Sequence, residues 1–109
     1  MKYLFAVLIC SLLSFSCGEK QEQPSMSDEQ ISRVMADLFI ADAATNGLAG
    51  YPKDSLMHVY FKQVFDMHRV TQEEYEKNLR LIAKDLPRMK RVTQAASNLV
   101  DTDKKEEKK

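Results

Sequence analysis

The sequence predicts an all-α protein, a small bundle of three to four helices. Over several segments the apolar residues recur every three to four positions, as they do on one face of a helix. Two segments also begin with the pattern of a helix capping box, Ser27 to Gln30 and Thr71 to Glu74. A chain of 109 residues with no tryptophan and three glycines has room for one small domain.

The first segment of the chain is predicted to lie outside this domain. Residues 1–16 combine a short basic start, Met1-Lys2, with an apolar run from Tyr3 to Phe15. This run is shorter than the ~20 apolar residues that a membrane-spanning helix needs. The pattern is typical of an export signal peptide, which is removed from the mature protein.

Cys17 comes directly after the apolar run. Its context, LSFSCG over residues 13–18, resembles the lipobox of bacterial lipoproteins, although Phe15 stands where a small residue is usual. The resemblance implies that residues 1–16 are removed as a lipoprotein signal peptide and that the Cys17 thiol carries lipid, which anchors the protein to a membrane. The alternative is ordinary cleavage near Ser16, which leaves a free thiol. Lipidation is favoured because Cys10 leaves with the signal peptide and Cys17 then has no disulfide partner.

Polar segments flank the predicted domain. Residues 17–25, which comprise the lipidated cysteine and a polar stretch with nothing to bury, are interpreted as a linker. Residues 101–109 are interpreted as a disordered charged tail. A lysine patch that binds lipid headgroups is the alternative there, but Glu106 and Glu107 lie among the lysines. The helical domain is therefore predicted over residues 26–100.

The balance of charge argues against a nucleic-acid partner. Lys2 is the only charged side chain of residues 1–16, so the mature chain would carry 15 basic and 16 acidic side chains, a net charge of −1. A protein that binds nucleic acid usually carries a basic excess or a basic stripe. Neither is expected from this sequence.

The first helix is predicted from the Ser27 cap to a terminator near Asn46-Gly47. Asp42 falls near the centre of its apolar stripe, where an unpaired carboxylate would be costly. We interpret Asp42 as a structural residue that is paired with another helix, with a general acid as the alternative. Asp37 points away from the stripe and is interpreted as solvated. The stripe consists of Ile31, Val34, Met35, Leu38 and Phe39.

The second helix is predicted from about Ser55 to His68, after a loop over residues 45–55. Apolar residues cover most of its circumference. Such a helix either lies at the centre of its bundle or buries one face against a partner, and packing in the core is favoured.

The third helix is predicted to begin at Thr71, and the fourth over residues 87–100. Pro87 ends the third helix or opens the fourth, because proline fits the first turn of a helix but not its interior. The residues expected to be buried from the third helix are Tyr75, Leu79, Ile82, Ala83 and Leu86.

Two stretches of the chain, MSDEQISRVMADLFIADA at 26–43 and residues 60–92, resemble an uncharacterised domain family of small lipoproteins from Bacteroidota. Phe39 stands where the family often has histidine, and Arg69 where it usually has glycine. At that corner a positive φ would cost a residue other than glycine about 1 kcal/mol. The resemblance implies a helical envelope lipoprotein, in a family with no assigned activity. The matching positions are Asp37, Leu38, Ala41 and Asp42, and then His68, Val70, Thr71, Glu74 and Tyr75.

Two hypotheses of different class remain for the function. The first is a protein-binding or accessory module of an outer-membrane or periplasmic assembly, without catalysis. The second is a small-molecule-binding or enzymatic lipoprotein with a cleft near Asp42 and His68. Exposed apolar residues would support the first. The candidate partner surface consists of Ile40, Phe61, Phe65 and Leu81.

Catalytic and cofactor motifs are not found in the sequence, which has no serine elbow, no glycine-rich phosphate loop and no paired carboxylates on a shared face. His58 and His68 alone make no metal ligand set. His68, Thr71 and Glu74 are interpreted, like Asp42, as structural polar residues. We expect no cofactor, an envelope protein as partner, and attachment to the outer membrane, with the periplasmic face favoured over the cell surface.

Overall fold

The computed structural model describes residue 3 and residues 22–109. Within these residues the protein consists of α-helices without strands, which confirms the all-α prediction. Cys17 lies outside the described residues, as does the predicted signal peptide apart from Tyr3, so lipidation stays a prediction. The helices are α1 Asp28–Ala44, α2 Tyr51–His68, α3 Gln72–Ala83 and α4 Leu86–Glu107.

Helix α1 lies at the centre of the bundle and contacts the other three helices. Its most extensive contact is with α4, and the two helices run parallel. Asp28 at the start of α1 bonds to Arg88 at the start of α4, and Phe39 and Val100 line one groove near the other ends. The sequence allowed α2 to lie at the centre of the bundle, but α1 occupies that position.

Side chains from all four helices form one core. The Phe65 and Tyr75 rings, with centroids 5.7 Å apart, join α2 to α3. Within the described residues every buried side-chain nitrogen and oxygen has a hydrogen-bond partner. The core residues are Met26, Ile31, Val34, Met35, Ala36, Ala41, Val64, Phe65, Tyr75, Ile82, Val92 and Ala96.

Both predicted N-caps are present, but only the one at Ser27 is the full capping box that was predicted at each site. Ser27 Oγ accepts from the Gln30 N–H at 3.1 Å, and Gln30 Oε1 accepts from the Ser27 N–H at 2.9 Å, which completes a capping box. Thr71 Oγ1 accepts from the Glu74 N–H at 3.0 Å at the start of α3. Each bond satisfies a backbone donor that the helix itself leaves free.

The corner between α2 and α3 has a positive φ at Arg69, the position where the family resemblance usually has glycine. Arg69 lies in the left-handed region at φ 57° and ψ 38°. The Arg69 and Val70 N–H groups donate to the carbonyls of Asp66 and Phe65, both at 3.1 Å, so the last turn of α2 is closed. Arg69 adopts this conformation at the cost that a glycine would avoid.

Two helix boundaries differ from the prediction. α2 begins at Tyr51, four residues before Ser55, because Pro52 fits its first turn and Gly50, at φ 66° and ψ −148°, adopts a backbone essentially reserved for glycine. α3 ends early, at Ala83, and Leu86 then belongs to α4. Ala83 and Leu86 are exposed, whereas the prediction placed both in the core.

The end of α4 also differs from the prediction. The helix continues to Glu107 through residues for which a disordered tail was predicted. All of residues 101–109 are exposed. Their lysines and glutamates favour helix intrinsically, and Lys104 and Lys105 in the last turn complement the helix dipole.

Candidate functional site

An apolar groove lies between α1 and α4 where both helices approach their C termini. It has a volume of about 430 Å³. Its floor is apolar, and its rim carries both signs of charge. The lining residues are Phe39, Ile40 and Ala43 of α1 and Val100, Asp103, Lys104 and Glu107 of α4. The continuation of α4 beyond Val100 supplies the second wall, which is why the sequence did not predict this groove.

Other exposed apolar residues lie at the same end of α1. Phe39 and Ile40 are 42% and 40% exposed in the groove, while Leu48, in the loop after α1, is 43% exposed. Tyr51 at the start of α2 is 84% exposed. We call Phe39, Ile40, Leu48 and Tyr51 the distal apolar surface. An apolar groove with a charged rim fits an amphipathic protein segment better than a small polar substrate.

Asp42 is exposed, and the prediction that it pairs with another helix is wrong. On a helical wheel it lies beside Leu38, but at its level on α1 the neighbouring helices cover only the side that carries Ala41 and Thr45. Within the described residues its carboxylate makes no hydrogen bond. A helical wheel gives the direction of a side chain but not how far along the axis the neighbouring helices reach.

Asp37 makes the contact that was expected of Asp42. Its Oδ2 lies 2.5 Å from His68 Nε2, which ties the end of α2 to the middle of α1. The two side chains are 30% and 21% exposed. The interpretation of Asp37 as solvated is therefore wrong, whereas the interpretation of His68 as a structural polar residue stays a prediction. Asp37 and His68 both lie at positions that match the family resemblance. This shared property is a signal from which their contact could have been predicted.

The Asp37–His68 pair is bonded to no hydroxyl group of the described residues. In the described part of the chain no serine, threonine or tyrosine hydroxyl is hydrogen-bonded to either residue. A catalytic histidine needs a nucleophile or a substrate proton within hydrogen-bond reach. The pair is therefore a contact that holds α2 against α1.

Asn78 is a structural residue that reasoning from the sequence missed. It is 1% exposed. Its Oδ1 accepts from the Met26 N–H at 2.9 Å, and its Nδ2 donates to the Glu74 carbonyl at 2.8 Å and to Ser25 Oγ at 3.0 Å. These bonds fix the segment before α1 onto α3. The available clue was its position between Tyr75 and Ile82 on the apolar face of α3.

The four residues of the predicted partner surface do not lie together. Ile40 belongs to the distal apolar surface. Phe61 is half-buried against the core, and Phe65 is 7% exposed, which removes it from any partner surface. Leu81 lines a separate groove beside Gln23 and Ser25. A wheel drawn for one helix at a time cannot tell these environments apart.

Neither a membrane span nor a metal cluster is found among the residues that the structure describes. No helix there is both long enough and apolar enough to cross a bilayer. No three side chains of the metal-binding types histidine, cysteine, aspartate and glutamate lie together in the same residues.

Comparison with known proteins places the bundle in a family. A family model with the description "Domain of unknown function (DUF4296)" matches residues 24–106, which include the whole of α1, α2 and α3 and nearly all of α4. Neither the curated proteins nor the solved structures contain a significant match to the chain.

Proposed function

The chain belongs to the DUF4296 family, whose description assigns no function, and from this premise we propose that it is a membrane-tethered envelope lipoprotein whose helical domain binds a protein partner. In this proposal Cys17 carries the lipid and residues 17–25 form the linker. The domain acts as an accessory module of an outer-membrane or periplasmic assembly, and it has no catalytic role.

The distal apolar surface is the observation that carries this proposal. It combines a groove of about 430 Å³ with exposed aromatic and aliphatic side chains. Interfaces between proteins are enriched in such side chains at their centre and have a polar rim. Asp103, Lys104 and Glu107 supply that rim here.

The direction of the helices supports the same assignment. The predicted tether joins the domain before α1, and α1 and α4 run parallel away from it. With 17 residues, α1 is about 25 Å long. The distal apolar surface therefore lies at the far end from the tether, where a partner in the periplasm or at the cell surface could reach it.

The alternative of a small-molecule-binding or enzymatic lipoprotein gains nothing from the geometry. Its cleft required Asp42 and His68 to act together. Asp42 is exposed, and His68 bonds to Asp37 instead.

The experiment that tests the proposed function is purification of the lipidated protein from native membranes. The membranes are crosslinked and extracted in mild detergent, with an affinity tag linked flexibly after Lys109. We expect one envelope protein to be recovered in a fixed ratio. Ile40→Asp should release it, because a carboxylate would be desolvated in the groove.

Met67→Asp is the matched control. Met67 is 65% exposed on α2 and does not line the groove, so its substitution should leave the partner bound. Circular dichroism checks that both variants fold. Recovery of the protein alone, or equal release by both variants, would refute the adaptor function.

The tether has a test of its own. Replacement of Cys17 by serine should abolish incorporation of a labelled fatty acid. Labelling that persists in Cys17→Ser would contradict the assignment of Cys17.

A further inference from the structure

Basic residues are concentrated at the corner where α3 meets α4. Residues 77–91 contain six lysines and arginines and a single acidic residue, Asp85. The remainder of the predicted mature chain is therefore acidic on balance. The near-zero overall charge conceals this local excess, which is why the composition alone argued against a basic surface.

Four of these six cations make no ion pair within residues 22–109. Lys77 pairs with Glu22 at 2.5 Å, and Arg88 pairs with Asp28 at 2.8 Å. The other four are exposed, and none of them pairs with a carboxylate of the described residues. We call these four the basic corner. They are Arg80, Lys84, Lys90 and Arg91.

An apolar side chain projects from the same corner. Leu86 is 75% exposed, and the adjacent Pro87 is exposed as well. The Asp85 carboxylate accepts from the Arg88 N–H at 3.1 Å and is thus engaged as a helix cap. Lys84 lies two residues before Leu86, and Lys90 lies about one helical turn after it on α4. Exposed cations beside an exposed leucine can bind the interface of an anionic bilayer, through the phosphate groups and the outer acyl region.

The chain reaches the domain at this corner. Glu22 pairs with Lys77, and both Lys77 and Lys84 hold the pKa of Glu22 below its ordinary value, the hydrogen bond from Lys77 being the larger cause. Cys17 precedes Glu22 by five residues, which span at most about 18 Å when extended. A lipid on Cys17 would therefore keep the basic corner close to the bilayer.

We propose that the corner between α3 and α4 binds the surface of an anionic phospholipid membrane, with the basic corner on the lipid phosphates and Leu86 in the interface. The orientation rests on the proposed tether, whereas the binding itself does not. A nucleic acid or an acidic protein could also attract cations, but the short span from Cys17 to Glu22 favours the bilayer. With this corner on the bilayer, the distal apolar surface points away from it.

The test uses the chain from residue 17 onward with Cys17→Ser, which retains every described contact among residues 22–109 and takes lipidation out of the measurement. Its co-sedimentation is measured with phosphatidylcholine vesicles that contain or lack phosphatidylglycerol. We expect binding to the anionic vesicles only. Replacement of Arg80, Lys84, Lys90 and Arg91 by glutamate should weaken it by roughly a hundredfold or more. Leu86→Ser should weaken it by roughly tenfold.

A control variant has the same change of net charge as the variant of the basic corner. Replacement of Lys53, Lys105, Lys108 and Lys109 by glutamate reverses four cations outside the corner and should leave binding within about threefold of the parent chain. Circular dichroism checks the fold of every variant.

Three results would overturn the proposal. They are equal loss of binding in the two charge-reversal variants, equal binding to neutral vesicles, and tighter binding to polyglutamate or to duplex DNA than to anionic vesicles. Vesicle binding that is retained while Cys17 fails to incorporate fatty acid would support the proposal and refute only the tether.

Discussion

Replacement of Asn78 by alanine should destabilise the domain strongly, because one side chain holds the segment before α1 onto α3. The substitution removes the acceptor of the Met26 N–H, and Met26 is 5% exposed, so water has little access to that donor. A buried donor left without a partner costs about 1–3 kcal/mol. The two bonds donated by Asn78 to Glu74 and Ser25 add about 1 kcal/mol between them, since both acceptors lie closer to solvent.

The expected loss in the free energy of unfolding is thus about 2–4 kcal/mol, which lowers Tm by roughly 10–20 °C in a domain of this size. The assay is urea unfolding of the chain from residue 17 with Cys17→Ser, monitored by circular dichroism. Asn98→Ala is the control, because Asn98 is exposed and, within the described residues, its side chain makes a single hydrogen bond, which its Oδ1 accepts from Gln94 on the same helix. Its loss should be about 0.5 kcal/mol or less.

Asn78→Asp tests the role of Asn78 through the pH dependence of the free energy of unfolding. Burial should raise the pKa of the introduced carboxyl above its unfolded value. The loss of stability should therefore be smallest below about pH 4 and grow as the pH rises through the folded pKa. A loss in Asn78→Ala no larger than in Asn98→Ala, or a pH-independent loss in Asn78→Asp, would refute the role assigned to Asn78.

Three further predictions concern other contacts. Arg69→Gly should stabilise the domain by about 1 kcal/mol because φ is 57° there, whereas Lys84→Gly, at φ −71°, should destabilise it; thermal unfolding distinguishes the two signs. In a double-mutant cycle, Asp37→Ala and His68→Ala should show a coupling of about 1 kcal/mol near pH 6, and additive losses would contradict the contact. Burial raises the pKa of Tyr75, so the stability it contributes should persist below its ordinary pKa of about 10 and fall as the pH rises through the folded pKa. Tyr75→Phe should remove part of that alkaline loss, and identical alkaline unfolding curves would argue against it.

Part of the candidate site was predictable from the sequence. Ile40 was named from the sequence as part of a candidate partner surface, and the structure places it in the groove. The opposite wall could not be predicted, because Val100 and Glu107 line the groove only where α4 runs parallel to α1 beyond the expected end of the domain. The prediction that Phe65 belongs to a partner surface was wrong for a related reason. Tyr75 of α3 packs against the Phe65 ring, and the sequence of α2 does not show this contact.

Features that depend on neighbouring residues along one helix could be predicted without the fold. The caps at Ser27 and Thr71 and the left-handed Arg69 are of this kind, because their hydrogen bonds and φ values are set within about one turn. The all-α class has the same origin, the local spacing of apolar residues.

Contacts between side chains of different helices depend instead on the packed bundle. Asp37 and Asp42 are both acids on α1, yet Asp37 pairs with His68 and Asp42 is exposed, because α2 ends beside one and not the other. The basic corner likewise exists only because a tight turn brings α3 and α4 together beside the segment before α1. Burial depends on how far each helix reaches along its neighbours, and that distance is a property of the whole tertiary structure.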